Sequence, residues 1–71
     1  MNKEYLQKFA KNLKKLRKER GLTQDKLESD RVSRSMISLI EIAKTDLTIS
    51  TAKAIADSLN VSMKELFDFE D

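Results

Sequence analysis

The side chains available for chemistry in this chain are ammonium, guanidinium, hydroxyl and carboxylate groups. There is no histidine and no cysteine among its 71 residues. Without histidine the commonest general base and metal ligand are missing. Without cysteine there is no thiolate metal site, no thiol nucleophile and no disulfide framework. The 12 carboxylates are not grouped with a nucleophile or with a ligand set. These absences point away from an enzyme, and no cofactor or metal is expected.

What remains is charge, and it is unevenly spread. Residues 1–20 carry Lys3, Lys8, Lys11, Lys14, Lys15, Arg17, Lys18 and Arg20 against Glu4 and Glu19, a net +6. Residues 21–44 are neutral, and residues 45–71 stand at −4, with Asp46, Asp57, Glu65, Asp68, Glu70 and Asp71 against Lys53 and Lys64. The overall +2 is therefore a basic segment beside an acidic one. A polyanion is expected to meet the first two thirds and to be repelled by the last third. Lysine-rich helices that are merely soluble are the other reading of the same charges.

The length allows one domain, and the 39% apolar content is enough for a small core and too much for a disordered tail. No apolar run reaches the ~18 residues of a membrane span. The start, Met1-Asn2-Lys3-Glu4-Tyr5, lacks the apolar stretch of a signal peptide. A cytoplasmic location is the resulting expectation. A core this small with no covalent staple also makes a homodimer a reasonable expectation.

The elements that must position these groups are helical. Leu6, Phe9, Leu13 and Leu16 recur at i, i+3, i+7 and i+10, one face of a helix over about residues 4–20 that Gly21 ends. Thr23 is placed to cap a short second helix over 23–29, and Ser33 a third over 33–42 in which Met36, Ile37 and Ile40 face inward. Thr48 or Ser50 starts a fourth, 49–59, burying Ala52, Ile55, Ala56 and Leu59. Ser62-Met63-Lys64-Glu65 is a capping box opening a fifth, 62–68. No strand-type alternation is sustained, so the expected class is all-α with five helices.

The stretch Leu16-Arg17-Lys18-Glu19-Arg20-Gly21-Leu22-Thr23-Gln24 is followed by Leu27 and by Val32-Ser33-Arg34-Ser35-Met36-Ile37-Ser38-Leu39-Ile40-Glu41. Later come Ile55-Ala56-Asp57-Ser58-Leu59-Asn60-Val61-Ser62 and Glu65-Leu66-Phe67. In this order and spacing the segments resemble the Xre/Cro-repressor family of helix-turn-helix DNA-binding proteins, over about residues 9–67. The step Asp46-Leu47-Thr48-Ile49-Ser50-Thr51 looks like small restriction–modification controller proteins and short phage-type repressors. The resemblance implies a five-helix, lambda-repressor-like domain whose third helix enters the major groove.

Residue by residue, the resemblance assigns base contacts to Arg34, Ser35, Ser38 and Leu39. An arginine there can pair bidentately with guanine, and a leucine can touch a thymine methyl. For the serines the competing reading is a solvated helix face, and for Leu39 it is ordinary core. Phosphate contacts fall to Thr23, Gln24, Lys44 and Thr45, with Arg31 as a further candidate at the groove edge. Such contacts position without reading sequence. Arg17 and Glu41 correspond to a partly buried ion pair that ties the first helix to the reader helix.

Two departures from the family pattern stand out. Leu27 and Val32 enclose only Glu28-Ser29-Asp30-Arg31, one residue fewer than usual and without glycine, and Glu28 replaces a small residue. The second helix must end early or the turn must be rebuilt. After Glu41 come Ile42-Ala43 where glycine is expected, which disfavours a left-handed cap.

Val61, Met63, Leu66, Phe67 and Phe69 crowd into nine residues of the acidic end, more than a small domain is expected to bury internally. The resemblance makes them a two-fold dimer interface, with closure of the core as the other reading for Leu66 and Phe67. The function expected is a dimeric regulator of a palindromic duplex-DNA operator, acting by occlusion, by contact with RNA polymerase, or both. A protein-interaction module on the same fold is the alternative, favoured by the short turn and Leu39.

Overall fold

The computed structural model describes residues 2–70, so Met1 and Asp71, the last of the acidic residues counted above, lie outside it. The element order is α1 (Lys3–Glu19), a short 3-10 helix (Gln24–Leu27), α2 (Arg34–Glu41), α3 (Ile49–Leu59) and α4 (Met63–Leu66). All are helical, but only four are α-helices. The expected second α-helix over 23–29 is one turn of 3-10 structure.

The four α-helices begin where local capping chemistry dictates. Asn2, Ser33, Thr48 and Ser62 each accept a hydrogen bond from a backbone N–H at the start of the helix that follows. At Ser62 the reciprocal bond from the Ser62 N–H to the Glu65 side chain completes the capping box. Thr23 occupies the N-cap position of the 3-10 helix, but its side chain makes no capping bond.

Three helices end in the same way. The Gly21 N–H bonds the Lys18 carbonyl and the Leu22 N–H bonds the Arg17 carbonyl, with Gly21 at φ +65°. This is a Schellman motif. Asn60 (φ 59°) closes α3 by the same pair of bonds. So does Ala43 (φ 56°) at the end of α2, through Ala43 N–H to Ile40 and Lys44 N–H to Leu39. The expectation that Ile42-Ala43 would disfavour a left-handed cap is thus corrected. The cap forms and alanine takes the strain, because Leu39 and Ile40 would otherwise leave carbonyls without partners.

The apolar stripes converge on one core. Phe9, Leu13, Leu27, Ile37, Ile40, Ile55, Leu59 and Leu66 are its largest fully buried side chains. Ala52, Ala54 and Ala56 give α3 a wide buried arc of small residues. Met36, expected to face inward, is exposed.

The shortened turn has a definite solution. Glu28 is extended (φ −66°, ψ 141°), and Ser29 and Val32 exchange two backbone hydrogen bonds of 2.9 and 3.3 Å around Asp30-Arg31. No residue of this turn has positive φ, so the absent glycine is not required. Ending the helix at Leu27 and reversing the chain in two residues lets both Leu27 and Val32 reach the core across four residues.

Candidate nucleic-acid interface

The site is built on α2. Ile37 and Ile40 pin its inner face to the core, while Arg34, Ser35 and Leu39 are exposed and Ser38 is half-buried. Leu39 is 43% exposed, which excludes the reading of it as ordinary core. Together with Gln24, these four side chains line one shallow concavity.

The orientation of α2 is held by a buried polar knot. Arg17 donates from Nε to Glu41 Oε2 at 2.7 Å and from Nη2 to Glu41 Oε1 at 3.0 Å. Its Nη1 reaches the Leu22 carbonyl at 2.8 Å. Gln24 Nε2 donates to Glu41 Oε1 at 3.0 Å, so the 3-10 helix, α1 and α2 share one carboxylate. The Glu41 side chain is 1% exposed and that of Arg17 is 12% exposed. Hydrogen bonding to Glu41 raises the Arg17 pKa above its ordinary value, desolvation opposes this, and the Glu41 charge adds to it. The amide of Gln24 is therefore already engaged inside the protein, where it buttresses α2.

Two other cations at the expected interface are also paired. Arg34 Nε lies 2.7 Å from Asp25 Oδ1, and the Arg34 backbone N–H donates to Glu28 Oε2 at 3.2 Å. Glu28 thus places a carboxylate at the positive end of α2, which is favourable there. Arg31 Nη2 lies 3.3 Å from Asp57 Oδ2, and Lys53 Nζ lies 2.7 Å from Asp57 Oδ1. The hydrogen bond from Lys53, opposed by desolvation and reinforced by the Lys53 charge and by Arg31, lowers the Asp57 pKa below its ordinary value. Lys44 is exposed and forms no ion pair among the described residues, whereas Thr45 is half-buried and donates its hydroxyl to the Asp46 carbonyl at 3.2 Å. Thr23 is exposed.

The basic segment does not form one surface. Lys8, Lys11 and Lys15 line a groove with Asp68, Phe69 and Glu70, so part of the +6 faces the acidic end of the chain itself. The simple division into a basic binding part and an acidic repelled part does not hold in three dimensions.

The acidic end packs back on α1. Leu66 is fully buried and Val61 nearly so, while Met63, Phe67 and Phe69 are half-buried against the core. The Phe67 ring lies 4.9 Å from Phe9, and the Phe69 ring lies 5.1 Å from Tyr5. As expected, one small domain does not bury all five, but α1 covers more of them than the sequence suggests, supplying an aromatic partner for Phe67 and for Phe69. Leu66 has no surface left for a second chain, and only Met63, Phe67 and Phe69 retain a useful part of theirs.

Sequence reasoning did not single out Asn12, Asp25 or Asp57. Asn12 is buried and donates its amide to the Leu66 carbonyl at 2.8 Å and the Glu65 carbonyl at 3.2 Å, tying α1 to the end of α4. Lys53 and Asp57 stand at i and i+4, a spacing that signals their pair. No local spacing announces the Asn12 or Asp25 contacts.

A helix with polar side chains outward, buttressed through a buried ion pair by the segment before it, is a helix-turn-helix arrangement. Residues 13–66 match the family described as Helix-turn-helix, three quarters of the chain. The chain belongs to this family of DNA-binding regulators, of the Xre/Cro type, and the family is not one of enzymes. No curated protein and no solved structure matches the chain. Among the described residues no helix is long and apolar enough to cross a membrane.

Proposed function

We propose that this chain folds as a single DNA-reading domain and acts in the cytoplasm as a sequence-specific transcription regulator, binding a palindromic duplex operator as a homodimer. The observation that carries the reading is the concavity on α2, where Arg34, Ser35, Ser38 and Leu39 stand together on a helix fixed from behind by the Arg17–Glu41 pair. In this reading those four side chains touch base edges. Thr23, Lys44 and Thr45 hold phosphates. Gln24 contributes its second amide hydrogen, and Arg31 swings from Asp57 to the backbone of the duplex. The second copy docks through the surface left on Met63, Phe67 and Phe69, with Val61 and Leu66 supporting it from the core. A two-fold dimer sets its two reader helices about one turn of B-DNA (~34 Å) or a multiple apart. Occlusion of a promoter and contact with RNA polymerase are the two routes by which it regulates, in the manner of a restriction–modification controller or a phage-type repressor.

Selection of bound duplexes from a random pool tests this, with the mass of the complex measured. A recovered palindrome, two chains per duplex and affinity falling steeply with salt support the reading. Arg34→Ala relaxes the preference at one position per half-site, and Lys44→Ala weakens binding to all sequences alike. If nanomolar protein recovers no preferred sequence, the regulator reading fails. A second reading, a protein-interaction module, is favoured by the exposed apolar side chains Leu39, Ile42 and Ile49, the last 82% exposed. That reading predicts no steep salt dependence on DNA.

A further inference from the structure

Arg34 is the side chain best suited to read a base, yet its guanidinium is not free. Its Nε meets Asp25 Oδ1 at 2.7 Å, and both side chains are about two-thirds exposed, at 63% and 67%. Asp25 itself sits on a firm platform. It belongs to the 3-10 helix, which Leu27 anchors in the core and Gln24 ties to the buried carboxylate of Glu41. The base of Arg34 is equally fixed, at the first turn of α2, with its backbone N–H on Glu28. A long flexible side chain is thus held at its root by one carboxylate and near its tip by another.

A guanidinium offers guanine two parallel N–H donors, either from Nη1 and Nη2 or from Nε and one Nη. The contact with Asp25 is a close charge pair and not a directed N–H bond, so the carboxylate restrains the guanidinium while its paired N–H donors stay available to a base. Arginine loses rotamer freedom when it binds, and a partner that restricts it beforehand reduces that loss. A carboxylate beside DNA also repels phosphates whatever the sequence.

We propose that Asp25 is a positioning residue for base recognition: its charge restrains the Arg34 guanidinium before a base is met, and so favours guanine, which takes two parallel bonds from it, over the other bases. This rests on the reading of Arg34 as a base contact. Asp25 touches no base itself and trades general affinity for discrimination.

The probes are the duplex selected from the random pool by the unaltered chain, the same duplex with guanine replaced at the position that Arg34→Ala relaxes, and an unrelated duplex. For Asp25→Ala, the preference for guanine at that position falls by about threefold, the scale of an exposed ion pair. Affinity for the unrelated duplex rises by about twofold as a negative charge is removed. Asp25→Glu restores discrimination. The melting temperature of the exposed-site variants stays that of the parent, which separates the effect from a folding defect.

Three results overturn the proposal. Unchanged guanine preference in Asp25→Ala means that the pair is incidental. A rise in guanine preference means that Asp25 withholds Arg34 from DNA instead of presenting it. Loss of preference at other positions of the site means that Asp25 acts on the whole helix. If the unaltered chain selects no duplex, or Arg34→Ala relaxes no position, the base-reading assignment itself fails, and the proposal with it.

Discussion

Removing the Glu41 carboxylate is a severe single change. Glu41→Ala strands three donors at once: Nε and Nη2 of Arg17, and Nε2 of Gln24. Gln24 is half-buried and can turn to water, but Arg17 is held under the Leu22 segment by its third bond and is 12% exposed. An ionised group left in such a place without its partner costs about 3–5 kcal/mol. For 71 residues the expected total stability is only about 4–11 kcal/mol. The unfolding entropy of a chain this size is about 0.15 kcal/mol/K, so the loss corresponds to a fall in melting temperature of about 20–30 °C. Thermal melts followed by circular dichroism at neutral pH measure it. The double variant Arg17→Met/Glu41→Leu is expected to melt above Glu41→Ala, because replacing both charges by apolar groups leaves no buried charge unpaired. A Glu41→Ala protein melting within about 5 °C of the parent, or a double variant less stable than both single ones, would refute this account of the knot.

Asn12→Ala removes the two amide bonds to the end of α4 and is expected to cost about 1–3 kcal/mol, seen in urea unfolding as a lower midpoint with unchanged slope. Ala43→Gly relieves a left-handed alanine against a smaller gain in unfolded-state entropy, so it is expected to raise stability by about 0.5–1 kcal/mol. A lower melting temperature for Ala43→Gly would show that the cap is not strained. Asp57 has a folded pKa below its unfolded value, so its stabilising pairs are whole above the ordinary carboxylate range and are lost as pH falls through the folded pKa. Carboxyl NMR titration should place its midpoint below that of an unpaired aspartate, and Lys53→Ala should raise it more than Arg31→Ala does.

The helices of this protein, and the class they imply, are written in neighbouring residues. The caps at Ser33 and Ser62 and the glycine stop at Gly21 close hydrogen bonds within a few positions, so residue type and spacing suffice to place them, whereas the structure chose Thr48 over Ser50. The inward faces of α1 and α3 follow from period, and Leu13, Leu16, Ile55 and Leu59 are buried as that period requires. The exposure of Arg34 and Ser35 was legible for the same reason, since the buried Ile37 and Ile40 fix which side of α2 is free.

Other features needed the third dimension. Whether four residues between Leu27 and Val32 extend a helix or fold into a tight turn depends on how far apart the core holds their ends, and the core chose the turn. Ala43 turns left-handed against its own preference because unpaired carbonyls at the end of α2 cost more than the strain. The aromatic end of the chain lies on α1, and Lys8, Lys11 and Lys15 share a groove with acidic residues far along the sequence. Asn12 meets carbonyls more than 50 residues away, and Asp25 finds Arg34 across the turn. The sequence by itself determined the four α-helices, most of their buried faces and the family. Only the tertiary structure decided the turn and the partners of the charges, because a contact across the chain exists only once packing has set the angle and distance between helices.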